Sequence, residues 1–292
     1  MSLVLRTNQM AMKSANQLNK TDRALKLSTS KISSGSRVFS SKDDAPGVSI
    51  ATRMDSDNVS LKQGVRNVND GIALIQTAES ALSNMQDVLV RMRELSVKLC
   101  SDPILKDRVG GAGTSNIYGA ADHTIDELIT LENELVRIAS TASFNRINVL
   151  NSSNTSLDIQ IGILDNLDNR IIINLASLNS TLGELGVDVI ISQTSLIRTI
   201  NPYNLLDETD AAIVNISAKR GRLGSIQNRL EYALSEMVNY SENLSASQSQ
   251  ILDLDYASES ANMTRFQIQH QAGVAALAQA KNIPQSIVNL LS

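Results

Sequence analysis

The run Ile75-Gln-Thr-Ala-Glu-Ser-Ala-Leu-Ser-Asn-Met-Gln-Asp-Val-Leu-Val-Arg-Met-Arg-Glu-Leu-Ser-Val-Lys-Leu99 decides the fold. Ile75, Leu82 and Leu89 stand seven residues apart, and Ala78, Met85, Met92 and Leu99 form a second row offset by three. Apolar residues with this 3.5-residue period make the seam along which helices supercoil. The pattern predicts a helix from about Ala45 to Leu99. At 1.5 Å per residue, ~55 residues span ~80 Å, far more than a compact domain needs.

Further along the chain the signature returns. Ile216, Leu223, Leu230, Met237, Leu244 and Ile251 are seven apart, with Ile226, Ala233 and Tyr240 as the offset row. The two long helices are natural partners. A generic helical bundle would show the same periodicity, so coiled-coil packing and bundle packing both stay open. Toward the N-terminus, Val4, Ala11, Leu18, Leu25 and Ile32 repeat at the same interval. At the other end, Lys281 is the only formally charged side chain from Phe266 to Ser292. A solvated helix carries a charged outer face. This one is rich in Gln, Asn and Ala, which suits burial by several neighbours that a single chain cannot supply. Other copies are therefore the expected partners.

The centre differs. Asp102-Pro103 and Gly110-Gly-Ala-Gly113 predict a break between helices, followed by a shorter helix over roughly Ala121–Thr141. Leu157-Asp-Ile-Gln-Ile161 alternates as a half-buried strand does, and Arg170-Ile-Ile-Ile-Asn-Leu175 is its expected antiparallel partner. Residues 177–203 read as loop and short irregular structure.

Composition agrees with slender helical packing. The 292 residues contain no Trp, three Phe and five Tyr, few of the aromatics on which large cores draw. Four Pro leave four long stretches without an internal helix breaker. A net charge of −4 with no basic stripe excludes nucleic-acid binding, and no apolar run approaches the ~18 residues of a membrane span. The N-terminal run before Arg6 is not a cleavable signal peptide, which taken alone predicts a cytoplasmic protein.

Catalysis finds no support, and the chain reads as a structural subunit, not an enzyme, with no cofactor or metal. His123 and His270 have no second ligand at metal spacing. Cys100, the single cysteine, has no neighbouring His and reads as a packing residue. Gly110–Gly113 lacks the Lys-Ser/Thr of a phosphate loop. One of Asp43 and Asp44 is expected to cap the helix that starts at Ala45.

The same residues resemble bacterial flagellin. Lys31-Ile-Ser-Ser-Gly-Ser-Arg-Val-Phe-Ser-Ser-Lys-Asp-Asp-Ala-Pro-Gly47 is similar to the family's helix end, Gly turn and restart. Asn67-Val-Asn-Asp-Gly-Ile-Ala-Leu-Ile-Gln-Thr-Ala-Glu79, Gln227-Asn-Arg-Leu-Glu231, and Gln271-Ala-Gly-Val-Ala-Ala-Leu-Ala-Gln279 with Pro284-Gln285 complete the pattern. Phe144-Asn145 fits the family's turn before the hairpin, although Arg146 stands where Gly is usual. The likeness covers about residues 1–176 and 204–292.

The resemblance implies a mainly α fold, with long coiled-coil helices from both chain ends and a small β-hairpin in an outer rod. Residues 1–42 and 253–292 would form inner terminal helices. Residues 43–176 and 204–252 would form the outer rod, and 177–203 a residual variable loop too short for a projecting domain. The implied role is an extracellular flagellar filament subunit. It would leave the cell unfolded without a cleaved signal and polymerise through its terminal helices, which overturns the cytoplasmic reading. Val4, Ala11, Leu18, Leu25, Ile32, Phe266, Ile268, Leu277, Ile287, Leu290 and Leu291 are the candidate polymerisation residues. Implied partners are further copies, an export chaperone, and cap and junction proteins. Leu89-Val-Arg-Met-Arg-Glu-Leu95 resembles the segment sensed by Toll-like receptor 5. Leu89, Arg91, Glu94, Leu95 and Glu127 are the candidate contacts, with Val90 where Gln is usual. Alternatively, these residues cover the rod and meet the next subunit. A hook–filament junction protein and a non-exported coiled-coil adaptor are the competing roles.

Overall fold

The computed structural model describes residues 8–101, 120–151, 156–185 and 202–291. The predicted break at Asp102-Pro103 and Gly110–Gly113, and Val4, lie outside them. Six helices follow in chain order among the described residues: α1 Gln9–Ser34, α2 Ala45–Cys100, α3 Ala120–Thr141, α4 Leu182–Leu185, α5 Pro202–Leu252 and α6 Tyr256–Leu291. Two small antiparallel hairpins lie between α3 and α4. They pair β1 Ser143–Phe144 with β2 Ile147–Asn148, and β3 Ser156–Gln160 with β4 Arg170–Asn174. The chain divides into two compact units, residues 60–240 and residues 1–59 with 241–292.

The larger unit has most of the core that the heptads predict, although Ile226 is only half-buried and Tyr240 is exposed. On α2, Leu61, Val68, Ile75, Leu82 and Leu89 are all buried, as are Ala78, Met85, Met92 and Leu99. Helix α5 answers with Ile216, Leu223, Leu230 and Met237. The two run antiparallel: Gly64 approaches Met237, Gly71 approaches Leu230, and Arg93 pairs with Asp210 near the other end. Helix α3 adds Ile125, Leu128, Leu135 and Ile138 to the same core. At ~25 cal/mol per Å² of apolar surface removed from water, such side chains stabilise by roughly 1.5–3 kcal/mol each.

The β3–β4 hairpin packs on α2. Its register pairs Leu157 with Ile173 and Ile159 with Ile171, so alternate residues face inward. Gly71 makes the fit: a Cβ there would come within 2.1 Å of Ile159 Cδ1. The β1–β2 hairpin turns on Asn145 and Arg146, both at positive φ (47° and 66°). A two-residue turn of this hand favours Asn-Gly, so Arg146 is strained where glycine would not be.

Of the segment expected as loop and short irregular structure, the described residues 177–185 form short turns. Ala176–Leu178 is a 3-10 turn and Leu182–Leu185 a helical turn, with Leu178 and Leu185 buried. Ser180 N–H donates to Leu150 O at 2.9 Å. The half-buried Lys219 of α5 reaches Asn179 O and Ser180 Oγ, and burial pushes its pKa down.

The smaller unit pairs α1 with α6. Asn8 accepts from Ala11 N–H at 3.0 Å as the α1 N-cap, and its amide donates to Ala280 O of α6 at 2.7 Å. At the other end Gly35 takes φ +72°, closing the helix with its N–H on Lys31 O. Only glycine enters this region without strain. Here a Cβ would also meet Tyr256 Oη at 2.8 Å. Asp44 caps α2, accepting from Gly47 N–H at 2.9 Å. Asp255 caps α6 in the same way, accepting from Ala257 and Ser258.

Candidate assembly surface

The surface for which other copies were expected is built on α1 and α6. Ala11, Leu18, Leu25 and Ile32 are each only half-buried. The two buried residues of α1, Thr21 and Ser28, belong to a different row, offset by three. On α6 the covered positions are Glu259, Met263, Phe266, His270, Gly273, Leu277 and Ala280, spaced alternately four and three. This is a heptad seam filled largely with small and polar groups. Leu18 sits over Gly273, 3.2 Å from where a Cβ would stand.

Phe266 and Leu277 therefore serve the pairing within the chain. Ile268 does not: it is 62% exposed, and Val274, Met10, Met12 and Leu27 are exposed with it. Ile287, Leu290 and Leu291 lie on the last turns of α6, with side chains outside the described set. Among the described side chains of this unit, the only buried hydrophobic residues are Ala51 and Ala280. Ordering a residue costs about 1–2 kcal/mol of backbone entropy. On α1 and α6 the larger apolar side chains Leu18, Leu25, Phe266 and Leu277 are only half-buried, so their burial within the chain is incomplete.

Where the two pairs of helices change over, a clasp holds both breaks at one level. Arg37 N–H donates to Leu252 O at 2.6 Å, and Leu254 N–H donates to Gly35 O at 3.1 Å. The Arg37 guanidinium adds a bond to Ile251 O at 2.8 Å. The link from 35 to 44 also carries Phe39, which is exposed.

The second candidate patch lies on the larger unit and separates into two kinds of residue. Leu89 and Leu95 are core residues at 0% and 3% exposure, so neither side chain is on the surface. Arg91, Glu94 and Glu127 are exposed and joined. The Arg91 guanidinium donates to Glu127 Oε1 at 2.7 Å and to Glu94 Oε2 at 3.0 Å. These bonds, Glu127 first, push its pKa further up.

Chemistry of other kinds has little to build on. No group of three metal-ligating side chains occurs among the described residues. Cys100 is half-buried, and burial pushes its thiol pKa up, away from the reactive thiolate. No helix among the described residues is long and apolar enough to cross a membrane.

A family model for the bacterial flagellin N-terminal helical region matches residues 5–155, and one for the C-terminal helical region matches residues 206–291. A flagellin of Halalkalibacterium halodurans is 34% identical over 262 residues, covering 89% of each chain. The flagellar filament 33 kDa core protein of Treponema phagedenis is 33% identical over 304 residues, 99% of this chain and 100% of its own. A flagellin of Xenorhabdus nematophila is 34% identical over 329 residues, spanning both chains completely.

Proposed function

The chain belongs to the bacterial flagellins, structural proteins that polymerise into the flagellar filament, and from that premise we propose how this sequence does so. The subunit is exported unfolded and reaches the growing tip outside the cell, attended by an export chaperone and by cap and junction proteins. In the free monomer α1 and α6 stay largely disordered. At the tip they meet the same helices of neighbouring copies, and burial of Met10, Met12, Leu27, Ile268 and Val274 drives ordering and addition in one step. Residues 1–42 and 253–292 make the inner wall of the filament, and residues 43–176 and 204–252 surround them. The 177–203 segment is too short to project, so the filament surface is smooth.

The observation that carries this reading is the near-absence of buried aliphatic side chains from the α1–α6 pair. Deleting residues 251–292 tests it. The truncated chain should remain a soluble monomer when seeded with filament fragments, as followed by sedimentation and electron microscopy. Long filaments from that chain would defeat the reading.

A second role, recognition by Toll-like receptor 5, is supported by the exposed Arg91–Glu94–Glu127 cluster. In this reading Leu89 and Leu95 hold the helix face in place from beneath, and the charged cluster makes the contact. An Arg91→Ala monomer should lose most of its signal in a receptor reporter assay. Full signalling by that variant would rule the role out.

A further inference from the structure

The seam between α2 and α5 changes character at Asn58. Within the smaller unit, residues 45–59 of α2 bury only Gly47, Ala51 and Asn58, and residues 241–252 of α5 bury none. Met54 and Leu244 are half-buried, while Ile50 and Val59 are exposed. No large apolar side chain in either stretch is buried. The specific link between them is a polar layer. Asn58 is 7% exposed. Its Nδ2 donates to Ser245 Oγ at 3.0 Å, and its Oδ1 accepts from Ser241 Oγ at 2.6 Å. The serines stand four apart, on one face of α5 and one turn from each other, so the amide sits between two successive turns.

A buried amide needs partners for both its ends, because leaving either unmet costs more than the bond returns. One pairing of the helices supplies them. Sliding α5 by a heptad, ~10 Å, would bring Leu234 and Val238, or Gln248 and Leu252, to the places of Ser241 and Ser245. The first pair offers the amide nothing, and the second offers one polar side chain in place of two. An aliphatic residue at 58 would accept all three arrangements. A single polar residue in an apolar seam fixes register in this way, at a cost in stability.

The geometry points to Asn58 as the positioning residue of this end of the α2–α5 pair. By selecting Ser241 and Ser245 it holds the last turns of α5 level with the first turns of α2. The clasp depends on that level, since Arg37 must meet Leu252 and Ile251, and Leu254 must meet Gly35. From the clasp α1 and α6 run as a pair, so the layer sets their offset. The inference rests on the reading that α1 and α6 carry polymerisation, and adds to it the residue that makes their alignment unique.

The test measures that offset inside the filament. Asp55 and Ser247 are exposed. In a Cys100→Ser background, Asp55→Cys and Ser247→Cys carry spin labels, and labelled chains are diluted into excess unlabelled wild type, so pulsed electron resonance reads distances within one chain. Chains with Asn58 should give one narrow distance. Asn58→Leu should give a broad or double distribution although it adds apolar surface, and the milder Ser241→Ala/Ser245→Ala should broaden it as well. Asn58→Leu subunits should also elongate wild-type seeds about fivefold more slowly, the ~1 kcal/mol that a buried hydrogen bond returns. A single narrow distance in filaments of either variant overturns the inference, and the alanine pair decides should Asn58→Leu not enter the polymer. Failure of the terminal-helix reading shows separately, as filaments from the chain lacking residues 251–292.

Discussion

Two seams in this molecule follow the same heptad rule, with opposite results. Along α2 and α5 the inward positions hold Leu82, Met85, Leu89, Leu223 and Leu230, all buried. Along α1 and α6 only Thr21, Ser28 and Ala280 are buried, while Leu18, Leu25, Phe266 and Leu277 are half-buried beside His270 and Gly273. Periodicity brings helices together in both. Side-chain size decides whether the pair stands alone. The first seam closes a core within one chain; the second leaves apolar area uncovered.

The sharpest way to break this contrast is a matched pair of truncations. Leu82→Ala should lower monomer stability by about 2–5 kcal/mol, the usual cost of a buried leucine, read as a fall in the thermal midpoint. Leu18→Ala should leave that midpoint nearly unchanged and slow filament growth instead. Equal effects on the monomer would erase the distinction.

Smaller changes sharpen it. Gly35→Ala places a Cβ at φ +72° against Tyr256, and the strained conformation alone costs about 1–2 kcal/mol. The loss should appear in filament melting and not in that of the monomer, since the clasp belongs to the smaller unit. Arg146→Gly should act the other way, stabilising the monomer by up to ~1 kcal/mol by relieving positive φ in the β1–β2 turn. A drop in the thermal midpoint would show that the Arg146 side chain outweighs its backbone strain.

The smallest effect concerns pH. A hydrogen bond from Arg137 holds the Glu134 carboxyl below its ordinary value of 4.5. A carboxyl with a depressed folded pKa adds stability above its unfolded pKa and loses it as pH falls through the folded one. Both groups are exposed, so the effect is slight. Arg137→Ala should flatten the thermal midpoint between pH 4.5 and the folded pKa, relative to wild type. An unchanged slope would mean that the pair contributes nothing.

Much of the core was legible in the sequence because Leu, Ile and Met repeat where the seam needs them. The α1–α6 seam was half legible. Ala11, Leu18, Leu25 and Ile32 announce one row, but Thr21 and Ser28 carry no hydropathy signal, and only packing against α6 reveals theirs. Phe266 and Ile268 look alike in sequence, yet helix geometry turns one inward and the other out. Leu89, a seam residue by its heptad position, and Leu95 are candidate receptor contacts by resemblance, and both side chains lie in the core. Leu89 belongs to a heptad row, and Leu95 is covered because α2 has further helices on more than one side. The turn at Phe144-Asn145 was legible by resemblance, but the strands flanking it are two residues each, too short for alternation to show. Asn179 and Ser180, beside the buried Leu178, are bonded to Lys219 and Leu150, which are distant in sequence.

The central claim is that the larger unit folds alone and the α1–α6 pair folds through its neighbours. Hydrogen exchange of backbone amides, compared between monomer and filament, tests it most directly. Amides of α2, α3 and α5 within residues 60–240 should be protected in both states. Those of α1 and α6 should exchange at nearly unprotected rates in the monomer and become protected in the filament. Protection of α1 and α6 in the monomer equal to that of the larger unit would contradict the account.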